Sequence, residues 1–497
     1  MKLSQGIPTI AIVVGISGGA LVSTLSDSAS PVLLSCLAVP LLVLIYWKPH
    51  IGLCLVLFSL MMHGLYTVIL PDVAIIGYVE PLLMVYVFCV VAIRNFRSQQ
   101  IMGWVLRSRL GIAVLVFVAF GATRAAFSED QLAAWLGFAT LCLYSTGFFI
   151  VCGTVTDKRR FTGVVSFILA AIAITALLAV SAFIFDWRLI AGPGVEAGYG
   201  YIRMAGTFGS PIICANFMAC GILIALSLLL AAKQLWKRVF FLALIALFAS
   251  VDLLAFTRSV WIGTLIGIFA VAWSEGPRLH LRFLFTFGFL LPIIVVVPFL
   301  LLPSDAVLSI AASRLEQNTV NDTVRMDRWE EGWQRASATS TSLVFGRGLG
   351  GVGPPAGIAF RIRHPGIRDQ WTLAKYYLET ESWIFHLLNE VGLVGLGLYL
   401  LVVFETLFRS DLKSSNISPD LLPWKRGLRA ALYSLLVSNI FLPSLGAWSV
   451  SALSWTLIGL IYCSSDKVLQ RTSSGRKLIV WKPNQLLLPT RRGFAKV

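Results

Sequence analysis

The stretch 380-TESWIFHLLNEVGLVGLGLYL-400 shows how the chain is organised, because a long polar segment ends here and an apolar run begins. Four ionisable or amide side chains nevertheless enter the run: Glu381, His386, Asn389 and Glu390. Such groups are costly at membrane depth. Their presence predicts either a polar seam that neighbouring helices satisfy, or the wall of a functional cavity.

These four residues are predicted to lie on one side of a helix. At about 100° per residue, one half of the helix is mostly polar and the other half is apolar. We expect the polar half to face protein or a water-filled cavity and the apolar half to pack or to meet lipid. The continuation 392-GLVGLG-397 predicts close packing against another helix.

The composition extends this pattern to the whole chain. Hydrophobic residues make up 57% of the 497 residues and charged residues 13%, about half the ~25% charge of soluble domains. Apolar runs near 20 residues recur throughout, which predicts an all-α, polytopic membrane protein. The eight cysteines fall in or next to these runs and are interpreted as small hydrophobic residues.

We predict about 14 transmembrane helices, with 12 as a lower bound. The predicted spans are 7–25, 31–47, 51–70, 74–93, 110–127, 132–154, 161–184, 209–232, 239–256, 259–274, 283–302, 383–406, 428–442 and 447–464.

The placement of positive charge orients these spans. Lys and Arg gather in alternate segments (94–109, 155–160, 233–238, 275–282, 407–427) and in the tail. This distribution follows the positive-inside rule and predicts that both termini are cytoplasmic. The net charge of +16 is therefore interpreted as a topology signal, and no nucleic-acid partner is expected.

The topology divides the chain into four parts: helices in 1–302, a large external loop 303–382, helices in 383–464 and a basic cytoplasmic tail 465–497. Within the external loop, 321–336 is predicted to form an amphipathic helix. The run 345-FGRGLGGVG-353 contains GxGxxG by spacing, but it lacks a βαβ context. We interpret it as a tight, mobile turn that carries Arg347.

Two arginines are predicted to lie at the outer membrane surface, beside a carboxylate. Arg258 stands at the junction of two spans, and Arg203 shortly precedes another span. Their guanidinium groups suit bidentate phosphate contacts, which favours a lipid-linked phosphate substrate. The alternatives are an interfacial snorkelling role for Arg258 and a loop salt bridge for Arg203.

Taken in chain order, these motifs resemble the O-antigen ligase/polymerase superfamily of integral membrane glycosyltransferases. The resemblance covers about 200–400 and rests on Arg203 with 205-AGTFGSP-211, 257-TRS-259, Arg325, Arg328 and Trp329, 345-FGRGLG-350, and 381-ES-382 followed by 390-EVGLVG-395. It implies a GT-C-like fold and a metal-independent transfer of glycan from undecaprenyl diphosphate on the periplasmic face of the bacterial inner membrane. No cofactor is expected.

Within this family, Glu381 stands where ligases usually carry histidine, which favours a polysaccharide polymerase for O-antigen or exopolysaccharide. The acceptor would be another lipid-linked repeat unit, and a chain-length regulator and a flippase would be partners. The alternatives are an O-antigen ligase that transfers glycan to lipid A core, a protein O-glycosylating transferase, a transporter or flippase for lipid-linked sugar, and an assembly scaffold without catalysis.

The resemblance and the required chemistry assign roles to individual side chains. Glu381 is predicted as the base or acceptor orienter, with His386 as the alternative. Arg203 and Arg258 would bind the diphosphate. Support for the glycan or the loop is expected from Arg325, Arg328, Trp329 and Arg347.

Overall fold

The computed structural model describes residues 40–65, 79–98, 105, 108–185, 196–197, 201–275, 323, 325–364, 380–409 and 418–464. These residues are almost entirely helical. A single two-stranded antiparallel ladder pairs β1 (Glu196–Ala197) with β2 (Tyr201–Ile202). The predicted spans 7–25 and 283–302 and the tail 465–497 lie outside the described residues.

The helices are numbered in chain order. They are α1 (40–47), α2 (Pro49–Met61), α3 (Val79–Ser98), α4 (Arg109–Ala126), α5 (Gln131–Thr154), α6 (Lys158–Ile184), α7 (Pro211–Ala231), α8 (Leu235–Leu254), α9 (Arg258–Glu275), α10 (325–336), α11 (Ser340–Phe345), α12 (Pro354–Arg363), α13 (Trp383–Phe404), α14 (Leu422–Ile440) and α15 (Trp448–Cys463). Two 3-10 turns, Gly206–Phe208 and Ser444–Gly446, precede α7 and α15, and a π turn, Glu405–Arg409, follows α13.

Within the described residues, five helices are long and apolar enough to cross a membrane: α4, α5, α6, α7 and α13 with its π turn. Three more, α2, α9 and α15, are apolar but shorter. The helices α3, α8 and α14 have 19 or 20 residues, and each carries several charged side chains. The described chain therefore fits an α-helical membrane protein.

Local sequence signals explain where several helices begin. Asp130 accepts a hydrogen bond from Ala133 N at 3.0 Å and caps α5, and Asp157 caps α6 through Arg160 N at 2.9 Å. Such caps satisfy backbone N–H groups that have no partner within the helix. Proline occupies the first turn of α2, α7, α12 and α14, where its missing N–H costs nothing.

Two predicted boundaries were off by five or six residues. The helix predicted over 74–93 extends to Ser98, and the helix predicted over 428–442 begins at Leu422. Part of the span predicted over 51–70, residues 66–70, lies outside the described residues. The second error has a physical reason: Lys425 was assigned to a cytoplasmic loop, yet it lies inside α14 with 1% of its surface exposed. Basic side chains near the end of a helix are compatible with helical structure, so charge alone misplaced the boundary.

The centre of the described fold is α7. In the most apolar 18-residue stretch of α7, 89% of the residues are buried. In the corresponding stretches of the other four long apolar helices, 39–44% are buried. It packs against α6, α8, α9 and α14. A second group comprises α2, α3, α4, α5, α13 and α15. It joins the first mainly through the contacts of α14 with α15 and of α2 with α6, and also through those of α7 with α15 and of α13 with α14.

Candidate functional site

Glu381, the predicted base, has an unusual backbone conformation. Its φ is +50°, and the other non-glycine residue with positive φ in the described ranges is Phe256, also at +50°. The left-handed region is sterically costly for residues with a side chain, and such strain collects at functional sites. Glu381 immediately precedes Ser382, the N-cap of α13, and its side chain is half-buried.

Helix α10 packs directly on this residue. Trp329 Nε1 donates a hydrogen bond of 3.2 Å to the backbone carbonyl of Glu381. The indole also packs against Phe385 and Phe441, with ring centroids 6.1 Å apart in both pairs. Asn389 Nδ2 donates to Gly332 O at 2.9 Å. The predicted amphipathic helix therefore has its described part, α10, fixed over the start of α13.

Arg203 lies at the turn between α8 and α9. Its Nε donates to Ala255 O at 3.0 Å and its Nη2 donates to the Thr257 hydroxyl at 3.0 Å. The strained Phe256 lies between these two partners. These contacts give Arg203 a structural role at the end of α8, where backbone carbonyls otherwise lack partners. Arg258 is the first residue of α9 and is exposed.

One buried cluster joins this turn to the α10 region. Leu442 packs with Ala255 and Val260, and the preceding residue, Phe441, packs on Trp329. The structure thus brings Arg203, Arg258, Trp329 and Glu381 to one end of the helices, through residues of three different elements.

Helix α13 is broken at Gly392, which has φ +65° and ψ −167°. A break leaves the last carbonyls of the preceding turn without helical partners. Two of them are satisfied from the glycine-rich segment: Arg347 N donates to Asn389 O at 2.8 Å, and Gly348 N donates to Glu390 O at 3.1 Å. The break at Gly392 and residues 345–353, called the glycine turn from here on, are therefore joined by two hydrogen bonds.

The Glu390 carboxylate also contacts the glycine turn. Its Oε1 accepts a hydrogen bond of 2.8 Å from Gly350 N, and its Oε2 lies 3.3 Å from His386 Nε2. Both side chains of this pair are 8% exposed. The His386 ring also stacks on Trp383, with centroids 4.8 Å apart. Buried polar side chains of this kind are costly unless they are hydrogen-bonded, and here the Gly350 N–H and the contact between the two side chains supply partners.

These contacts revise one interpretation of the sequence. The 345–353 run was interpreted as a mobile turn, but its backbone is hydrogen-bonded to α13 at three points. The physical reason is the break at Gly392, which supplies acceptors for it. The apolar half of α13 was expected to pack or to meet lipid: residues 386–392 are packed and buried, while Leu393 and Val394 are exposed. On the polar side of α13, the side chains of Asn389 and Glu390 form hydrogen bonds with neighbouring segments.

A buried polar network, which was not predicted from the sequence, holds the turn Ser444–Gly446 close to His386. Asn439 Oδ1 accepts from the Ser444 hydroxyl at 2.9 Å and from Leu445 N at 2.6 Å. The turn fixed in this way presents Gly446 O, which accepts a hydrogen bond of 3.1 Å from the Tyr144 hydroxyl. A Cβ placed on Gly446 would lie 4.0 Å from His386 Cε1. Only the presence of polar residues in apolar runs could have signalled this network.

The remaining predicted side chains lie around this core. Arg328 pairs with Glu331 on its own helix at 3.2 Å, and Arg325 lies one turn before it, half-buried. Arg347 contributes its backbone N–H to α13, while its side chain is exposed. A further arginine, a weaker candidate in the sequence, contacts the 345–353 turn: Arg124 Nη2 donates to Gly346 O at 2.9 Å and fixes the turn from α4.

A surface ion pair holds α12 over the start of α5. Arg363 donates to both carboxylate oxygens of Asp130. The Arg363 hydrogen bond holds the pKa of Asp130 below its usual range, and Ala133 N acts in the same direction. This pair fixes the helix that follows the 345–353 turn.

Within the described ranges, no group of three or more His, Cys, Asp or Glu side chains is placed to hold a metal ion. Comparison of the sequence with models of protein families found no match, and comparison with curated proteins found none either. The class that the fold and its apolar helices define is an α-helical membrane protein. Any narrower assignment rests on the motifs and the geometry above.

Proposed function

We propose that the protein is a polysaccharide polymerase of the bacterial inner membrane. It transfers a growing glycan from undecaprenyl diphosphate to a lipid-linked repeat unit on the periplasmic face. In this proposal the chain has about 14 transmembrane helices in a GT-C-like arrangement, with both termini in the cytoplasm. The 303–382 segment lies outside and takes part in the active site.

The observation that carries the proposal is the position of Glu381. This half-buried carboxylate stands on a strained backbone between α10 and α13. It lies at the same end of the helices as the turn that holds Arg203 and Arg258, and the two are linked through Trp329 and Phe441. A general base beside a cluster of guanidinium groups is what this transfer needs.

In the proposed reaction, the Glu381 carboxylate accepts the proton of an acceptor sugar hydroxyl. The hydroxyl oxygen attacks the anomeric carbon of the donor, and the bond from that carbon to the diphosphate oxygen breaks. Arg258 stabilises the charge that develops on the diphosphate, while Arg203, bonded to the turn, orients Arg258. His386 is the weaker candidate base because it is buried and paired with Glu390.

The first test is the lipid-linked glycan profile of cells that lack the protein, measured by mass spectrometry. We expect single repeat units to accumulate on the outer face and polymer to be lost. Full-length lipid-linked polymer without its final acceptor would instead establish a ligase. Single units held on the cytoplasmic face, with neither single units nor polymer on the outer face, would establish a flippase.

The second test separates the carboxylate of Glu381 from its backbone strain. Glu381→Gln keeps the shape of the side chain and removes the charge. Glu381→Gly removes the side chain but suits a φ of +50°. We expect both variants to lose polymerisation at normal protein level, while the exposed control Glu330→Gln keeps it. Full polymerisation by either variant would show that the Glu381 assignment is wrong.

A further inference from the structure

Three turns that the charge pattern places on the cytoplasmic side meet around one cavity. The cavity is about 490 Å³ and is lined by residues of 47–50, 91–95 and 153–160. This volume falls within the range of roughly 300–1,000 Å³ that is typical of ligand sites. It lies between the junction of α1 and α2, the end of α3 and the connection from α5 to α6.

The polar lining of this cavity is strongly basic. Lys48, Arg94 and Arg160 contribute permanent positive charge, and His50 lies among them. One carboxylate offsets part of this charge: Asp157 pairs with Arg160 Nε at 3.3 Å. The cavity therefore keeps an excess of positive charge, and an anion is the ligand that this field favours.

The guanidinium groups are held in place before any ligand arrives. Arg94 Nη1 donates to the carbonyls of Tyr46 and Trp47, both at 2.9 Å. Arg160 Nη1 donates to Thr154 O at 3.3 Å and to the Thr156 hydroxyl at 3.1 Å. Because the side chains are already ordered, binding an anion costs little additional side-chain entropy.

The cavity also lies at the edge of the apolar surface. Trp47, which lines it, is 65% exposed, and Leu44 on the same helix is 38% exposed. Trp is enriched at the level of lipid headgroups. Along α5, Gly153 in the cavity is about 24 Å from Gly137, which approaches Gly350 of the glycine turn. The cavity and the Glu381 region therefore lie at opposite ends of the helices.

We propose that this cavity binds the phosphate group of an anionic ligand, at the end of the protein opposite Glu381. Arginine forms paired hydrogen bonds to phosphate oxygens, and lysine adds a point charge. The buried Thr156 hydroxyl and the buried Asn95 amide supply further polar atoms. The same chemistry recognises the headgroup of an anionic phospholipid and a soluble phosphate compound.

The test uses the purified full-length protein in phosphatidylcholine nanodiscs and measures acetylation of Lys48 by mass spectrometry. Lys158 is the internal control, because it is exposed in the same region but does not line the cavity. Phosphatidylglycerol is added to the nanodiscs in one arm and inorganic pyrophosphate to the buffer in another. We expect at least one of them to protect Lys48 and to leave Lys158 reactive.

The two arms identify the source of the phosphate. Protection by phosphatidylglycerol alone supports a lipid headgroup, protection by pyrophosphate alone supports a soluble ligand, and protection by both supports a site open to either. No protection by either anion, or equal protection of Lys48 and Lys158, would overturn the proposal. The second result would indicate attraction to the whole basic surface.

A matched pair of variants provides an independent measurement. Lys48→Gln removes one charge from the cavity, and Lys158→Gln removes one charge beside it. We expect Lys48→Gln to weaken binding of the protecting anion about fivefold, the effect of one basic residue near a lipid surface. Lys158→Gln should change it less than twofold. Equal effects of the two substitutions would contradict the proposed site.

Discussion

Trp329 in helix α10 donates an indole hydrogen bond of 3.2 Å to the backbone carbonyl of Glu381. This bond ties a residue outside the long apolar helices to the strained residue just before α13. The conformation of Glu381 therefore depends on the position of α10.

Replacing Trp329 by Phe should therefore loosen Glu381 without removing the ring contacts. Phe keeps an aromatic ring beside Phe385 and Phe441 but cannot donate the hydrogen bond. We expect the free energy of unfolding to fall by about 0.5–1.5 kcal/mol, and polymer yield to fall with it. Thermal unfolding in detergent and glycan chain length measure the two effects. Trp333→Phe, at a residue that is 49% exposed, should be neutral. Equal effects at both positions would refute the role of the bond.

The glycine turn should tolerate alanine at one position and reject it at another. At Gly350 φ is +73°, and a Cβ would lie 1.8 Å from Ala133 O. At Gly351 the nearest atom would be 3.6 Å away. Gly350→Ala should cost more than the ~1–2 kcal/mol of the left-handed conformation alone. Gly351→Ala should be close to wild type. The apparent Tm in detergent distinguishes them, and a stable Gly350→Ala protein would mean that the turn is not held against α5.

Substitutions of Glu390 should separate its hydrogen bond from its charge. Gln retains an oxygen that can accept from Gly350 N, whereas Leu leaves that buried N–H without a partner. An unsatisfied buried donor costs about 1–3 kcal/mol. We therefore expect Glu390→Leu to lower the apparent Tm clearly, and Glu390→Gln to lower it less. If both variants lose the same stability, the charge paired with His386 matters more than the bond to the turn.

The ion pair between Asp130 and Arg363 should make the position of α12 sensitive to acid. The pKa of Asp130 is lowered in the folded protein, so the pair stabilises the fold above the ordinary carboxyl pKa of about 3.9. That stabilisation is lost as pH falls through the lowered pKa. A spin label at Ile358→Cys should be equally immobile from neutral pH down to about 5, and should gain mobility only in stronger acid.

The control for this experiment is Asp130→Asn. Asn still accepts the bond that caps α5 but cannot form the ion pair. Its label should be more mobile at every pH, with little change across the range. An acid-induced change that persists in Asp130→Asn would have to come from another group.

The sequence predicted α4, α5, α6 and α13 to within a few residues, because apolar runs and local caps determine where such helices begin and end. The start of α5, for example, follows from Asp130 and the apolar run after it. It did not predict the start of α14, because Lys425, which the charge pattern assigned to a loop, is buried within the helix. The charge pattern indicates which segments are rich in basic residues, but it does not indicate whether a particular basic side chain is buried.

The sequence indicated which residues are candidates for the site, but it did not predict how they are arranged in space. Glu381, Trp329 and the two arginines were identified, and the structure brings them to one end. The bonds of Arg203 to the turn at 255–257 were not predicted, because they join residues about fifty positions apart. The partnership of Gly350 with Glu390 was missed for the same reason. Tertiary hydrogen bonds have no signature in local periodicity.

The break at Gly392 has a consequence for how the protein is made. Arg347 and Gly348, which satisfy Asn389 and Glu390, precede them in the chain by about forty residues. In the proposed topology, the segment that carries the two N–H donors is therefore synthesised first and reaches the outer side first. The helix that carries the two acceptor carbonyls enters the bilayer afterwards. Until the turn docks, two carbonyls of the new helix have no partner, and each costs several kcal/mol in lipid. A chain with the external segment shortened would insert this helix in an unfinished state, which quality-control proteases would recognise.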